Sequence, residues 1–435
     1  MVAHAKTAAP RKRLAALALT VAVLGCLACT ALAGAAPLGG INIGALTPTA
    51  SAARMSSEIA VARRLHAKVV RVGMPWSLFE PTAQGKLAPR MVTAANRLIE
   101  DAAAAHIKVI ALLDDTPCWA STAPASLLAD CGDGNKAEAW PPRDPSDFGA
   151  FTGWLAKRYG SQLAAIEVWN EPDQANEDYL DGPEKPRHYA ELLKAAYPAI
   201  KRADPNVPVL AGSLVGPNGA FMKALYKQGI KGYYNGVAVH FYTLVLGSVR
   251  RFHEVQLENG DHTPLWLDEF GWSSCWPKYK IEQEQGCVTP AIQAQNITSS
   301  FHELARTAYV KALLTYGFKD APGEEFGVLD VKGKPKPSFA ALAKALLSPL
   351  GPPSPITLSL KARRGSVIAT GSGPVGDYMK LEVFKGGRLR EEKIFTLNRF
   401  NRYRLELNKT LGTSGLVVRV YQYWLGLSDY AQRSI

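Results

Sequence analysis

From about residue 41 to 348 the chain alternates short apolar runs with amphipathic stretches, the pattern of successive strand and helix units that build a parallel sheet. The runs that read as strands are Val69 to Val72, Val109 to Leu113, Ala165 to Trp169, Val209 to Gly212, Gly236 to His240, Pro264 to Asp268 and Leu313 to Gly317, with a weaker one near Ile41 to Ala45. Helix candidates at residues 90–105, 147–159, 187–203, 218–228, 289–307 and 337–347 fall between or after them. Eight strands in strict alternation favour a closed barrel over an open sheet, so the expected fold class is α/β, a (β/α)8 TIM barrel. The run Pro-Leu-Gly-Pro-Pro-Ser-Pro from Pro349 to Pro355 ends that texture. Beyond it, short runs such as Ile356 to Leu360, Lys380 to Phe384, Lys393 to Leu397 and Leu416 to Tyr423, parted by Gly and Asn turns, predict a small C-terminal antiparallel β domain.

Composition permits this reading: 47% hydrophobic and 20% charged residues can bury a large core. Arg11, Lys12 and Arg13 precede an apolar run from Leu14 to Leu32 that ends in small residues, which reads as an export signal. An uncleaved N-terminal anchor and lipidation at Cys26 are the alternatives. The expected parts are residues 1–33 as signal peptide or anchor, 34–348 as the barrel, 349–355 as linker and 356–435 as a basic β-sandwich-like module. Four cysteines lie beyond the signal, and their spacing favours Cys118 with Cys131 and Cys275 with Cys287 among the three connectivities. Such disulfides belong to a secreted or envelope-associated, extracytoplasmic protein.

Charge is uneven along the chain. The total of +12 leaves the barrel segment neutral, because residues 350–435 carry fourteen basic and six acidic side chains and residues 1–33 four basic and none acidic. A neutral barrel suits an uncharged substrate, and the basic tail suggests docking on an anionic envelope polymer, with a solvated basic face as the alternative. Nucleic acid is not an expected partner, and a membrane is one only if the N-terminal segment is uncleaved.

Two carboxylates stand where barrel enzymes keep their chemistry, just past the C-terminal ends of strands. Glu171 follows Ile166-Glu-Val-Trp-Asn170 and is followed by Pro172, which stops strand pairing. Glu269 lies in Leu265-Trp-Leu-Asp-Glu-Phe-Gly-Trp272. The barrel brings these residues, 98 apart in sequence, to one mouth. A pair of converging carboxyls is what glycoside hydrolysis needs, one to protonate the leaving oxygen and one to attack the anomeric carbon.

The segments Trp169-Asn-Glu-Pro172 and Glu269-Phe-Gly-Trp272 resemble the acid/base and nucleophile motifs of the clan A glycoside hydrolases of the family 39 and family 5 type. Thr116-Pro-Cys-Trp-Ala120, Pro141-Pro-Arg-Asp144 and Val239-His-Phe-Tyr242 follow the same order. The resemblance spans roughly residues 41–348. It implies Glu171 as acid/base, Glu269 as nucleophile, Asn170 on the sugar 2-hydroxyl, a β-linked oligo- or polysaccharide substrate, a retaining mechanism and no cofactor or metal. A transglycosylase and a non-catalytic carbohydrate-binding or envelope protein on the same barrel are the alternatives. Arg71 is expected to hold the nucleophile electrostatically, Tyr242 to hydrogen-bond it, and His240 to line the reacting subsite. Sugar rings pack on flat aromatics, and Trp119 and Trp272 are the expected cleft rings. The family's tryptophan at the end of strand eight is replaced here by Thr315, with Tyr316 or Phe318 as substitutes.

Overall fold

The computed structural model describes residues 36–47, 52–132, 136–175, 179–242, 244–276 and 287–435; the segment read as a signal, with Cys26 and Cys29, lies outside the described residues. Eight parallel strands close on themselves: β1 (Leu38–Ala45), β2 (Val69–Gly73), β3 (Lys108–Leu113), β4 (Leu163–Val168), β5 (Val209–Leu214), β6 (Gly236–His240), β7 (Leu265–Phe270) and β8 (Val310–Thr315). Closure is made by β1 against β8, from Leu38 opposite Ala312 to Ile41 opposite Thr315.

A long helix follows each strand in turn: α1 (Ala52–Arg64), α2 (Pro89–Ala104), α3 (Pro145–Tyr159), α4 (Lys185–Ala203), α5 (Ala220–Lys227), α6 (Val245–Glu258), α7 (Pro290–Leu304) and α8 (Pro337–Leu347). The pattern reading passed over α1 and α6. Helix α6 buries Val245, Leu246, Val249, Phe252 and Val255 at helical spacing, but its β-branched residues and Gly247 depress local helix propensity, and packing on the barrel overrides that. The last strand sits two or three residues earlier than its apolar run suggests, so Tyr316 falls beyond the strand end.

The strand period of two explains both floor and site. Val69, Ile110, Ala165, Leu210, Ala238, Trp266, Ala312 and Leu314 form one buried cluster, separate from the larger one that packs strands on helices. Two residues further along four of these strands, the same face carries Arg71, Glu167, His240 and Asp268, all buried. One pleat, roughly 7 Å of strand, separates apolar floor from charged mouth.

The C-terminal part holds seven antiparallel strands, β9 (Ser359–Arg363), β10 (Ser366–Ser372), β11 (Tyr378–Lys385), β12 (Arg388–Thr396), β13 (Arg402–Glu406), β14 (Leu416–Gln422) and β15 (Tyr430–Ser434). They form a three-stranded sheet, β13-β10-β9, and a four-stranded sheet, β12-β11-β14-β15. Val367, Ala369, Met379, Leu381, Val383, Tyr403, Val418 and Val420 fill the core they share. Polar contacts fasten this module to the barrel. Arg250 of α6 pairs with buried Asp377, which also accepts from Gln422 Nε2 at 2.8 Å, and Asn401 Nδ2 donates to Asn296 Oδ1 of α7 at 2.9 Å. Asn296, although in a glycosylation sequon, is thereby buried.

Candidate active site

The site grows from the charged layer at the C-terminal ends of the strands. Arg71, on β2, is its hub. Its Nε and Nη2 donate to the two oxygens of Glu167 on β4 at 2.7 and 2.8 Å, and Nη2 also reaches Asn170 Oδ1 at 2.8 Å. Its Nη1 donates to Glu269 Oε1 at 2.7 Å, and Asp268 Oδ2 lies 3.5 Å from Nε. Burial works against the guanidinium, but Glu167, Glu269 and Asp268 together hold its pKa well above the ordinary value. Tyr242, just past β6, donates its hydroxyl to Glu269 Oε2 at 2.7 Å. Both oxygens of Glu269 are therefore held by donors. Burial, and then the Glu269 charge, push the Tyr242 phenol well above its usual range, so it remains a donor.

Glu171 is set by an unusual turn. Trp169 and Glu171 both take left-handed backbone, φ 71° and 45°, which costs a non-glycine residue about 1–3 kcal/mol and is found where surroundings over-determine the geometry. The surroundings do so here: Trp169 is buried, its backbone N–H donates to Leu113 O at 2.9 Å, and its indole N–H donates to Tyr179 O at 2.9 Å. Glu171 Oε1 then meets His240 Nδ1 at 2.6 Å and Oε2 accepts from Gln174 Nε2 at 2.9 Å. Burial raises the Glu171 carboxyl, but the His240 hydrogen bond and charge, with Gln174 and Arg71, outweigh it and hold the pKa below the usual value. For His240 burial lowers the pKa, yet the Glu269 charge and the carboxylates of Asp268 and Glu171 push it up to about 10. His240 Nε2 stands 3.5 Å from Asp268 Oδ1, an ion-pair distance too long for a good hydrogen bond.

One oxygen each of Glu171 and Glu269 and a ring nitrogen of His240 all lie within 4.8 Å of one another, and so do ligand atoms of Glu167, His240 and Asp268. Either set has the donor types of a metal site, but Arg71 already supplies a fixed positive charge to carboxylates of both.

The six polar residues expected at the mouth, Asn170, Glu171, Arg71, His240, Tyr242 and Glu269, are brought together. The position of His240 differs from expectation. Its side chain is fully buried against the Glu171 and Glu269 carboxylates and presents no surface to the mouth. Of the two tryptophans, Trp272 departs as well. Trp272 is only 3% exposed, edge-on to Phe270, and offers no open face. Trp119 is half-buried, its indole N–H tied to Glu80 O at 2.6 Å and its ring edge-on to buried Trp76. The rings near the carboxylates are tyrosines and a phenylalanine. Tyr242, Tyr316 and Phe326 pack edge to face with centroids 5.6–6.0 Å apart, and the phenol of Tyr179 is raised by burial and then by the charges of Glu171 and Glu269. Beside this wall, Asn42, Tyr316, Phe318 and Phe326 join charged side chains around a groove of about 740 Å³.

Pattern reasoning did not mark Glu167 and Asp268. Their signal was present: Glu167 is the one acid in an otherwise apolar buried strand, and Asp268 is a second acid beside Glu269 in a strand that is buried throughout, where water cannot solvate it. Burial first, then the Asp268 charge, raise Glu167 to about 7 against the pull of Arg71. Both disulfides form as the spacings favour, Cys118–Cys131 in the loop after β3 and Cys275–Cys287 after β7, with Cα separations of 5.8 and 5.3 Å.

No protein-family model matches this chain, and no curated protein matches its sequence. Solved structures do match. A family 39 glycoside hydrolase from Bacteroides cellulosilyticus WH2 aligns with a TM-score of 0.56 at 18% identity over 86% of this chain and 80% of its own. A family 39 β-xylosidase from Caulobacter crescentus gives 0.54 at 17% over 89% and 97%, and a family 39 enzyme from Xanthomonas axonopodis pv. citri gives 0.53 at 14% over 93% and 96%. At these identities the likeness is one of architecture: the chain shares its fold, an eight-stranded parallel barrel with a C-terminal β module, with solved glycoside hydrolases of family 39.

Proposed function

We infer that this protein is a retaining glycoside hydrolase acting on a β-linked oligo- or polysaccharide. The observation that carries the reading is the approach of the Glu171 and Glu269 carboxylates within 4.8 Å. Retaining enzymes hold their two carboxyls roughly 5 Å apart, whereas inverting enzymes leave roughly 6.5–9.5 Å for a water. In the first step Glu269 attacks the anomeric carbon as the bond to the leaving oxygen breaks, and Glu171 gives that oxygen a proton. In the second, Glu171 takes a proton from a water that attacks the same carbon and frees Glu269. Arg71 and Tyr242 aim the nucleophile, and Asn170 bonds the 2-hydroxyl of the reacting sugar.

A general acid must begin with a proton, yet Glu171 alone is held low. The acid is better taken as the Glu171–His240 pair. It carries one transferable proton, as imidazolium and carboxylate at rest and as imidazole and carboxylic acid when the leaving oxygen arrives.

The β linkage draws support from the fold likeness to a β-xylosidase. Action outside the cytoplasm is supported by the two disulfides. Residues 34–348 are read as the catalytic part, 349–355 as its linker, and 356–435 as an accessory module that holds an anionic envelope polymer. The test is the stereochemistry of turnover, followed by proton NMR on aryl β-xyloside and β-glucoside. The first-formed sugar is expected as the β anomer; an α anomer would reject retention.

A further inference from the structure

The C-terminal module carries an exposed cationic sheet face. In the three-stranded sheet, Val367 and Ala369 of β10 point into the shared core, so Ser366, Ile368, Thr370 and Ser372 occupy the outward face. Register fixes their neighbours. On one side Ser372 faces Arg402 and Thr370 faces Arg404, both on β13; on the other, Ile368 faces Lys361 and Ser366 faces Arg363, both on β9. The four cations are exposed. The acid on this face, Glu406, lies 3.5 Å from Lys409, and no ion pair joins any of the four cations to a carboxylate among the described residues.

The result is a strand flanked by two cationic rails roughly 10 Å apart, twice the strand spacing, with the Thr370 and Ser372 hydroxyls half-buried between them and Ser366 and Ile368 buried. At its Ser372 and Arg402 end the track opens into a groove of about 720 Å³ between the module and the barrel, lined also by Gln295, Ser299, Ser354 and Phe400. Phe400 is 36% exposed. The groove thus offers a ring face, hydroxyl and amide partners and a guanidinium side by side.

We propose that this track and groove bind a carboxylate-bearing polysaccharide, a polyuronate, lying along β10. Guanidinium and ammonium groups on both rails meet its carboxylates. Thr370, Ser372, Gln295 and Ser299 meet its hydroxyls, and Phe400 takes one sugar face. The sheet face carries no aromatic row on which the bases of a single-stranded nucleic acid would stack. It has no protruding apolar side chain to enter a membrane either, because Ile368 is itself buried. The proposal rests on reading residues 356–435 as the polymer-holding part, and on no step at the barrel mouth.

Native-gel retardation by polygalacturonate tests it, with dextran, a single-stranded DNA oligonucleotide and phosphatidylserine vesicles in parallel. Polygalacturonate is expected to bind and dextran not to. Arg402→Gln/Arg404→Gln and Lys361→Gln/Arg363→Gln should each weaken binding about tenfold, whereas Arg388→Gln/Arg390→Gln on β12, which removes the same charge, should change it less than about twofold. All three pairs are exposed, and unchanged thermal melts verify their folding. Equal losses in all three pairs would mean net charge alone and overturn the proposal, as would absent retardation by polygalacturonate, or DNA or vesicles bound as tightly with the same dependence on the rails. Retardation by polygalacturonate, an α-linked polymer that the hydrolase need not cleave, with no turnover of the aryl β-glycosides would leave the track standing and count against the hydrolase; turnover of those glycosides without retardation would do the reverse.

Discussion

His240 Nδ1 and Glu171 Oε1 meet at 2.6 Å, with the imidazole fully buried and the carboxylate at the mouth. On the proposed reading Glu171 is the acid/base residue, and sharing its proton with a buried base gives it a pH dependence unlike that of a carboxyl alone. The alkaline limb of kcat/KM should follow loss of the proton from the pair, near the value of about 10 to which His240 is pushed. His240→Asn removes that proton and should bring the limb down by at least roughly two pH units. An unmoved limb would separate His240 from the acid function.

The same pair bears on stability. His240 is raised above its ordinary 6.5, so its contribution is full below that pH and is lost as pH rises through about 10. Glu171 is lowered from 4.5, so its contribution is present above that pH and is lost as pH falls through the lower folded value. Denaturant titrations from acid to alkaline pH should show both effects vanish in the His240→Asn variant.

If Glu171 supplies the proton to the leaving oxygen, its removal matters in proportion to the need for that proton. Glu171→Gln should lower kcat about 10²- to 10⁴-fold on a poor alkyl leaving group, and far less on an activated dinitrophenyl glycoside. Glu269→Gln should suppress both substrates. Comparing the variants on matched glycosides reads the two roles apart.

Glu167 is buried against Arg71 and is raised from 4.5 to about 7. A folded carboxyl above its unfolded value binds more protons than the unfolded chain, so this group costs stability as pH rises between 4.5 and about 7, by an amount on the order of 3 kcal/mol. Glu167→Gln should flatten that part of the stability profile. Arg71→Met should destabilise by about 3–5 kcal/mol, because it leaves Glu167, Asp268 and Glu269 buried without their counter-charge.

Arg250 and Asp377 form the buried ion pair between barrel and module. Arg250→Met leaves Asp377 with the Gln422 amide and the Tyr378 backbone N–H but no counter-charge, and should cost about 3–5 kcal/mol, read as a fall in melting temperature. A loss below about 1 kcal/mol would show that apolar packing, not this pair, fastens the module.

Much of this was legible in the sequence because strand ends leave sharp marks. Asn170, Glu171 and Pro172 break an apolar run at once, and Glu269 does the same before Gly271, so the mouth residues stood out against their strands. Tyr242 was legible for the same reason, just past a buried strand, and Arg71 as the one charged side chain within the buried run of β2. Glu167 and Asp268 were harder to recognise, because an acid one or two positions before a motif reads as part of it, whereas the pleat turns it inward beneath the motif. Trp272 misled because ring type says nothing of direction. Trp272 turns back onto Phe270, and Tyr316, Phe326 and Tyr179 stand near the carboxylates instead. Helix α6 was hidden by valines and a glycine that packing tolerates: Gly247 sits where a Cβ would lie 2.6 Å from the Tyr378 ring.

The most direct test of the central claim is covalent trapping. The protein is incubated with 2-deoxy-2-fluoro β-xyloside and β-glucoside bearing dinitrophenyl leaving groups, digested, and mapped by mass spectrometry. A single fluorosugar on the peptide that contains Glu269, absent from Glu269→Gln, is the predicted result; a label on any other carboxylate, or turnover with no covalent sugar on the protein, would contradict it.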